Sequence, residues 1–321
     1  MSKNKKIVCF GGGNALTKAV LPALVNNSIN IVSVSSMFDS GGSSGKLRKE
    51  FGILPPGDIR RHLLALSKAP DWKKELFSFR FGGEVFEGGH KGHNLGNAFI
   101  ASLEKSFDDY NKVLEVLHEF LEVEGKCLPI TVEKSNIGAV LDNGEQIMGE
   151  DEIDVPKKHN QDLKIEKVFL DPPVKAFPSV LEEIRSADMI IIGPGDLYSS
   201  LIPCLLPEGI KEEITKSKAK KVFISNIMTK RGETADFTVL DFVKEVENYL
   251  SGELDCVIYN NHLPSPENIT NYKKKHPELL GMVEFREGLS EKKFIGENLL
   301  ISDRIIEHSF EKVGKLIKSL I

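Results

Sequence analysis

The sequence predicts an α/β protein: an open, mostly parallel sheet with helices on both faces and a small β-hairpin insertion. Three observations carry this. Short apolar runs alternate with amphipathic segments along most of the 321 residues. Residues 189–192 form a continuous apolar run, as expected of a parallel strand covered on both faces. Polar or Gly-rich turns follow four strands, after residues 10, 34, 192 and 225, which places the chemically equipped loops together at the carboxyl edge of the sheet.

The elements follow in order. Residues 6–10 read as a first strand, 11–14 as a turn and 15–25 as one helix with apolar positions at helical spacing. Residues 29–34 read as the second strand, and 58–66 as a helix opened by Pro56 with Asp58 in its first turn. Residues 71–86 are rich in aromatic side chains and fit no single pattern. Helices are expected from about 94 and over 110–121, and a strand over 128–132. Residues 137–148 read as a hairpin closed by Asn143-Gly144. The polar stretch 150–162 is expected to be a loop at the edge of the fold. Strands at 165–170, 189–192, 221–225 and 256–259 alternate with helices at 178–186 and 237–250, and a final amphipathic helix is expected over 305–320. We read residues 1–270 as one domain, with the hairpin and polar insertion at about 127–163. Residues 271–321 read as a C-terminal extension whose amphipathic helix packs on it.

Composition narrows the function. A net charge of −5 argues against general nucleic-acid binding. No apolar run approaches 18 residues, so no membrane span is expected, and the expected compartment is the cytoplasm. Cys9, Cys127, Cys204 and Cys256 are widely spaced, unlike a zinc site. No Gly-x-Ser-x-Gly or His-Glu-x-x-His occurs.

The richest stretch runs from Asp39 through Ser40, Gly41, Gly42, Ser43, Ser44 and Gly45 to Arg48, and on to Asp58, Arg60 and Arg61. Glycine amides and serine hydroxyls suit phosphate oxygens, the arginines can face phosphate bidentately, and Asp39 and Asp58 can hold a divalent cation. Gly11, Gly12, Gly13 and Asn14 join a first strand to a first helix, with Lys18 nearby. This is either a phosphate loop or a tight turn, since Leu16 stands where a dinucleotide fingerprint has its third glycine. His90, His93, Asn94 and Asn97 flank a helix start, where the histidines could meet phosphate or sugar, act as acid and base, or ligate metal. Gly193, Gly195, Asp196 and Ser199 form a second Gly-rich loop whose amides and Ser199 could hold a second phosphate. Asn226 and Thr229 offer groups suited to a base or sugar.

In this order the motifs Gly-Gly-Gly, Asp-x-Gly-Gly-Ser-Ser-Gly, Leu-Pro-Pro-Gly-Asp-Ile-Arg, Gly-His-x-x-Gly-Asn, Gly-Pro-Gly-x-Leu-Tyr-x-Ser and Asn-Ile-Met-Thr-x-x-Gly-Glu-Thr resemble the YvcK/CofD family over residues 6–265. The likeness is closer to the YvcK branch. It implies a Rossmann-like fold, usually a homo-oligomer, and a UDP-sugar or other nucleotide ligand, with a role in carbon metabolism and cell shape. The CofD branch, 2-phospho-L-lactate transferase, implies instead a divalent metal such as Mg²⁺ and transfer of a phospholactyl group from a nucleotide diphosphate donor to a deazaflavin. Asp39 and Asp58 are then the expected metal carboxylates and, in a transferase, the catalytic ones. Gly12, Gly13, the Asp39–Gly45 loop, His93, Asn94, Asn97, Gly195, Ser199 and Asn226 are expected at the ligand. Two departures stand out: Asn14-Ala15 replaces the usual Thr-Gly, and Ser40 stands where the YvcK branch commonly has a second acid.

Overall fold

A computed structural model describes residues 4–25, 27–82, 92–156, 159–285, 288–289 and 293–321. The strands are β1 (Lys5–Gly11), β2 (Ile29–Ser35), β3 (Lys126–Pro129), β4 (Asn136–Leu141), β5 (Gln146–Met148), β6 (Ile165–Asp171) and β7 (Met189–Ile192). They continue with β8 (Lys220–Ile224), β9 (Met228–Lys230), β10 (Cys256–Asn260), β11 (Leu279–Met282), β12 (Phe294–Glu297), β13 (Leu300–Ser302) and β14 (Ile305–His308). Seven form the central sheet in the order β12-β10-β8-β7-β1-β2-β3, and every neighbouring pair is parallel. Strand order reverses between β1 and β7. In an open parallel sheet that reversal opens a crevice beyond the carboxyl ends of the two strands. The glycine triplet leaves β1 there and the Gly193–Asp196 turn leaves β7 beside it.

Apolar sequence explains the centre of the sheet. Ile7 to Phe10 of β1 and Ile190 to Ile192 of β7 are fully buried, which removes about 1.5–3 kcal/mol of apolar exposure per large side chain. The hairpin forms as expected, with β4 antiparallel to β5 and Gly144 at φ +83° in its turn, and β6 completes a separate three-stranded sheet. The helix Val239–Leu250 opens on a capping box, Thr238 and Asp241 exchanging backbone and side-chain hydrogen bonds.

β3 lies at Lys126–Pro129 instead of 128–132, and three further elements differ from expectation. Residues 15–25 make two short helices, Ala15–Ala19 and Leu21–Leu24, because Pro22 lacks the amide that would continue one helix through the join. Residues 305–320 divide into β14, paired with β13, and the helix Phe310–Leu320. The Ser309 hydroxyl accepts from the Lys312 amide and restarts the chain as a helix. Within the polar insertion, Glu150–Asp154 is helical and its Glu152 and Ile153 are buried, so this stretch is part of the fold and not an edge loop.

The segment 271–321 supplies β12 to the central sheet, pairs β11 with β9, and ends in a helix packed on Leu21–Leu24. That last contact is close: a Cβ at Gly314 would lie 2.5 Å from Ala23 Cβ. Gly314→Val is expected to lower urea stability by about 1–3 kcal/mol through overpacking. A midpoint unchanged from wild type would show that this helix yields freely.

Candidate functional site

Two cavities meet over the carboxyl edge of the sheet. One, of about 340 Å³, is lined by Gly13, Asp39, Gly41 to Ser44, Gly57, Asp58, Arg60, Arg61, Arg80, Asn97, Glu150, Asp151, Asp154 and Ser199 among others. The other, of about 260 Å³, is lined by Gly12, Ala15, Lys18, Gly195, Asn226 to Met228, Tyr272, His276, Leu279, Ile306, Glu307 and His308. Asn14, Asp196 and Ser200 face both, so the two are chambers of one crevice.

The larger chamber is polar and holds both signs of charge. Helices Gly42–Phe51, Gly57–Ala65 and Leu95–Ser106 begin at its wall, so their positive ends converge on it. Three guanidiniums stand together. Arg60 is buried, donates from Nε to Asn97 Oδ1 at 2.8 Å, and is pushed down to about 10 by burial and by the Arg61 and Arg80 cations. Arg61 donates to Asp58 Oδ1 at 2.9 Å. Opposite them are carboxylates that repel one another. Burial and Asp39 push Asp58 up to about 6, although Arg61, the Gly13 amide and Arg60 pull the other way. Burial, then Asp39, Asp154 and Asp58, push Glu150 up to about 9. Gly57 is required by the close approach of Ser44 and Asp39: a Cβ there would meet Ser44 Oγ and lie 3.0 Å from Asp39 Oδ2.

The smaller chamber has an aromatic wall. Tyr272 and His276 stack with ring centroids 4.4 Å apart and planes 27° from parallel. Asn226 Oδ1 is buried there without a hydrogen-bond partner among the described residues. His308 is held neutral by burial, down to about 4, with Nε2 3.1 Å from the Ser225 carbonyl.

Several expected residues are engaged within the fold, some of them at the crevice wall and others behind it. The Arg48 guanidinium turns to the Ser135 carbonyl and to Asn136 Oδ1, 2.9 Å away, and so leaves the phosphate side. Ser40 Oγ donates to Asp151 Oδ1 at 2.6 Å, which ties the Asp39 loop to the acidic helix. Gly45 lies under the Ser40 carbonyl, where a Cβ has no room, and Gly11 ends β1 with its carbonyl on the Ser36 amide. Asn94 is a helix cap, its side chain accepting from the Asn97 amide and donating to the Ser78 carbonyl. His93 and Asn97 both reach Ser43 Oγ, at 3.0 and 3.3 Å. Gly193, at φ +80°, bonds back to the Phe10 carbonyl. Thr229 bonds the Gly281 carbonyl within the β9–β11 pair. Lys18 lies at the mouth of the smaller chamber, 3.7 Å from Glu307. His90 lies outside the described residues.

The second phosphate site expected at Ser199 is taken by an internal anion. Glu233 accepts from the Tyr198 and Ser199 amides at 2.9 and 3.2 Å and from Ser199 Oγ at 2.9 Å. Lys230, absent from the expected site, closes this cluster. Its buried ammonium bonds Asp196 at 3.0 Å, Glu233 at 3.2 Å and Asp154 more closely still. Burial opposes its charge, but Glu233, Asp196 and Asp154 outweigh burial and hold Lys230 above its usual range. The three carboxylates have metal-like spacing, and the lysine supplies the cation. Sequence reading also missed Arg80, Glu150 and the Tyr272–His276 wall. Only the acidity of residues 150–154 offered any sequence signal.

Residues 7–293 match the family described as 2-phospho-L-lactate transferase CofD. The chain belongs to the CofD family. Within it, this chain is similar to proteins named gluconeogenesis factor, the YvcK members of the family. It is 34% identical to that of Listeria innocua over 100% of this chain and 98% of the relative, and 34% identical to that of Bacillus subtilis over 100% and 99%. A crystal structure of a UPF0052-family protein from Bacillus halodurans superposes with a TM-score of 0.89 at 32% identity, covering 99% of this chain and 100% of that one. The CofD family match ends before β13, so Ile306 to His308 of the smaller chamber's wall lie beyond it. No described helix is long and apolar enough to cross a membrane.

Proposed function

We propose that this protein binds a nucleoside diphosphate ligand, a UDP-sugar, and acts as a sensor coupling sugar-nucleotide level to carbon metabolism or envelope shape. One observation carries the reading: a chamber with an aromatic wall and a chamber holding three arginines meet at a glycine ridge. A base fits the first, where it would stack on Tyr272 or His276 and give an N–H to the unpaired Asn226 Oδ1. The diphosphate and sugar fit the second along the wall of Arg60, Arg61, Arg80 and the helix N-termini, which attract negative charge, away from the facing carboxylates Asp39, Asp58, Glu150, Asp151, Asp154 and Asp196. Each chamber is close to the ~300–1,000 Å³ usual for small-molecule sites. The regulatory role rests on similarity to the gluconeogenesis factors.

The test is a thermal-shift and calorimetric panel with UDP-GlcNAc, UDP-glucose, GDP, NAD and a deazaflavin, each with and without Mg²⁺. A ligand at 100 times its Kd adds about 2.7 kcal/mol to the folded state. UDP-sugars are expected to stabilise the protein without Mg²⁺. Arg60→Ala and Asn226→Ala are expected to weaken them by roughly 10–100-fold and about tenfold, the values of a charge-assisted and a neutral hydrogen bond. Wild-type affinity in both variants would move the site elsewhere.

A second reading, a Mg²⁺-dependent transferase of substituted phosphate groups, is favoured by the mutual repulsion of Asp39, Asp58 and Glu150. Their hard oxygen atoms suit Mg²⁺, and Glu150 provides an acid next to Ser40, whose amide lies 3.4 Å from Glu150 Oε2. Bound there, the ion would neutralise a diphosphate, and Arg60 would stabilise charge building on the leaving group. Turnover abolished in Asp39→Asn with an unchanged melting curve would support this reading. Failure of the wild type to turn over any donor and acceptor pair would remove it.

A further inference from the structure

The Gly12–Gly13 peptide is the ridge between the chambers, with Gly12 on one side, Gly13 on the other and Asn14 facing both. The helix Gly57–Ala65 grips it from beneath. His62 Nε2 lies 3.2 Å from the Gly12 carbonyl oxygen, and His62 Nδ1 lies 2.7 Å from Ser33 Oγ on β2. His62 and Ser33 are wholly buried. A carbonyl oxygen only accepts, so the ring proton sits on Nε2, and Nδ1 accepts from the Ser33 hydroxyl. One helical turn earlier, Asp58 faces the other end of the same peptide. The Gly13 amide donates toward its carboxylate, and a Cβ at Gly13 would lie 2.7 Å from Asp58 Oδ1. A flipped peptide would turn its oxygen toward a carboxylate and its N–H toward another N–H donor, so the pair of side chains selects one orientation.

We infer that His62, set by Ser33, is a positioning residue for the ligand: it fixes the peptide plane that any molecule spanning both chambers must cross. His62 lines neither chamber and acts through Gly12. Its ring stays neutral because burial pushes it down to about 4. This rests on the proposed nucleotide reading, and the test separates the two.

Calorimetry with UDP-GlcNAc is run on the full chain as wild type, His62→Leu, His62→Gln, Ser33→Ala and Leu63→Ala. Leu63 is the next residue, equally buried, and lines neither chamber. His62→Leu is expected to weaken binding by at least about tenfold, the scale of one buried hydrogen bond lost. His62→Gln, whose amide still donates to Gly12, is expected to stay within about threefold of wild type, and Leu63→Ala to lose stability but not affinity. Wild-type affinity in His62→Leu, or an equal loss in Leu63→Ala, overturns the inference. If His62→Leu does not fold, Ser33→Ala decides: weaker binding supports the clamp and unchanged binding overturns it. If the wild type binds no nucleotide, the functional reading fails instead. The clamp is then read from the Gly13 amide resonance, which must move in His62→Leu and Ser33→Ala but not in Leu63→Ala.

Discussion

Lys230→Met is expected to lower the unfolding free energy by about 3–5 kcal/mol, the usual cost of stripping one partner from a buried ion cluster. Asp154, Asp196 and Glu233 would be left with their oxygen atoms within 4.8 Å of one another and no cation between them. They come from three parts of the chain: the acidic helix, the turn after β7 and the turn after β9. The lysine therefore ties the insertion to the sheet edge as well as neutralising charge. Lys5→Met removes an exposed pair with Asp188, 3.3 Å apart, and should cost about 1 kcal/mol or less. Urea unfolding at pH 7 compares the two. Equal midpoints would show that the carboxylates find protons or other donors at little cost. Nucleotide affinity should fall in Lys230→Met as well, because Asp154 and Asp196 wall the polar chamber.

Glu150→Gln is expected to match the ligand-free wild type near pH 4 and to exceed its stability by roughly 2–5 kcal/mol at pH 8, the upper figure being the part of the shift already crossed at that pH. Burial and the neighbouring Asp39, Asp154 and Asp58 raise the Glu150 carboxyl from 4.5 to about 9 in the fold. Between those values the folded protein holds a proton that the unfolded chain has released. The folded state then binds more protons, so stability falls as pH rises through the window. Asp58, raised from 3.8 to about 6, adds a smaller loss over its own range. His62 and His308, lowered by burial to about 4, work in the opposite sense below pH 6.5. The result is therefore read as variant minus wild type across pH 4–9. A flat difference would mean that Glu150 is solvated in the folded protein. Mg²⁺ that binds the ionised carboxylates should erase the difference, which separates the two functional readings by a route independent of turnover.

The sheet was legible because its strands are short apolar runs that nothing else in the chain imitates. β1, β2, β7, β8 and β10 lie within a residue or so of their expected bounds, and the Asn143-Gly144 turn identified the hairpin. The crevice was legible too, since its glycines and serines sit at strand ends, where an open parallel sheet gathers its loops. What sequence hid was pairing over long distances. Arg48 reads as a phosphate ligand because its neighbours are glycine and serine, but the Ser135 carbonyl, 87 residues away, takes its guanidinium. Ser199 and the amides beside it look like an anion site, and they are one, filled by Glu233 of the same chain. The five-residue helix at 150–154 has no apolar period to reveal it and takes shape against Ser40 and Lys230. Arg80 falls in an aromatic segment with no clear pattern. The Tyr272–His276 wall belongs to a segment whose motifs say nothing of a ligand.

The central pairing of β1 with β7 joins residues 7–10 to 189–192. During synthesis the free edge of β1, with Ile7, Val8, Cys9 and Phe10, waits for roughly 180 further residues. At about 5–20 residues per second, that is of the order of 10–35 s. β2 and β3 can form on the other side meanwhile, so until β7 is made β1 has a strand partner on one edge only. A bare edge of that kind invites pairing with another chain. Yield of folded protein should therefore depend on translation speed and chaperone supply more than the stability of the finished sheet would suggest.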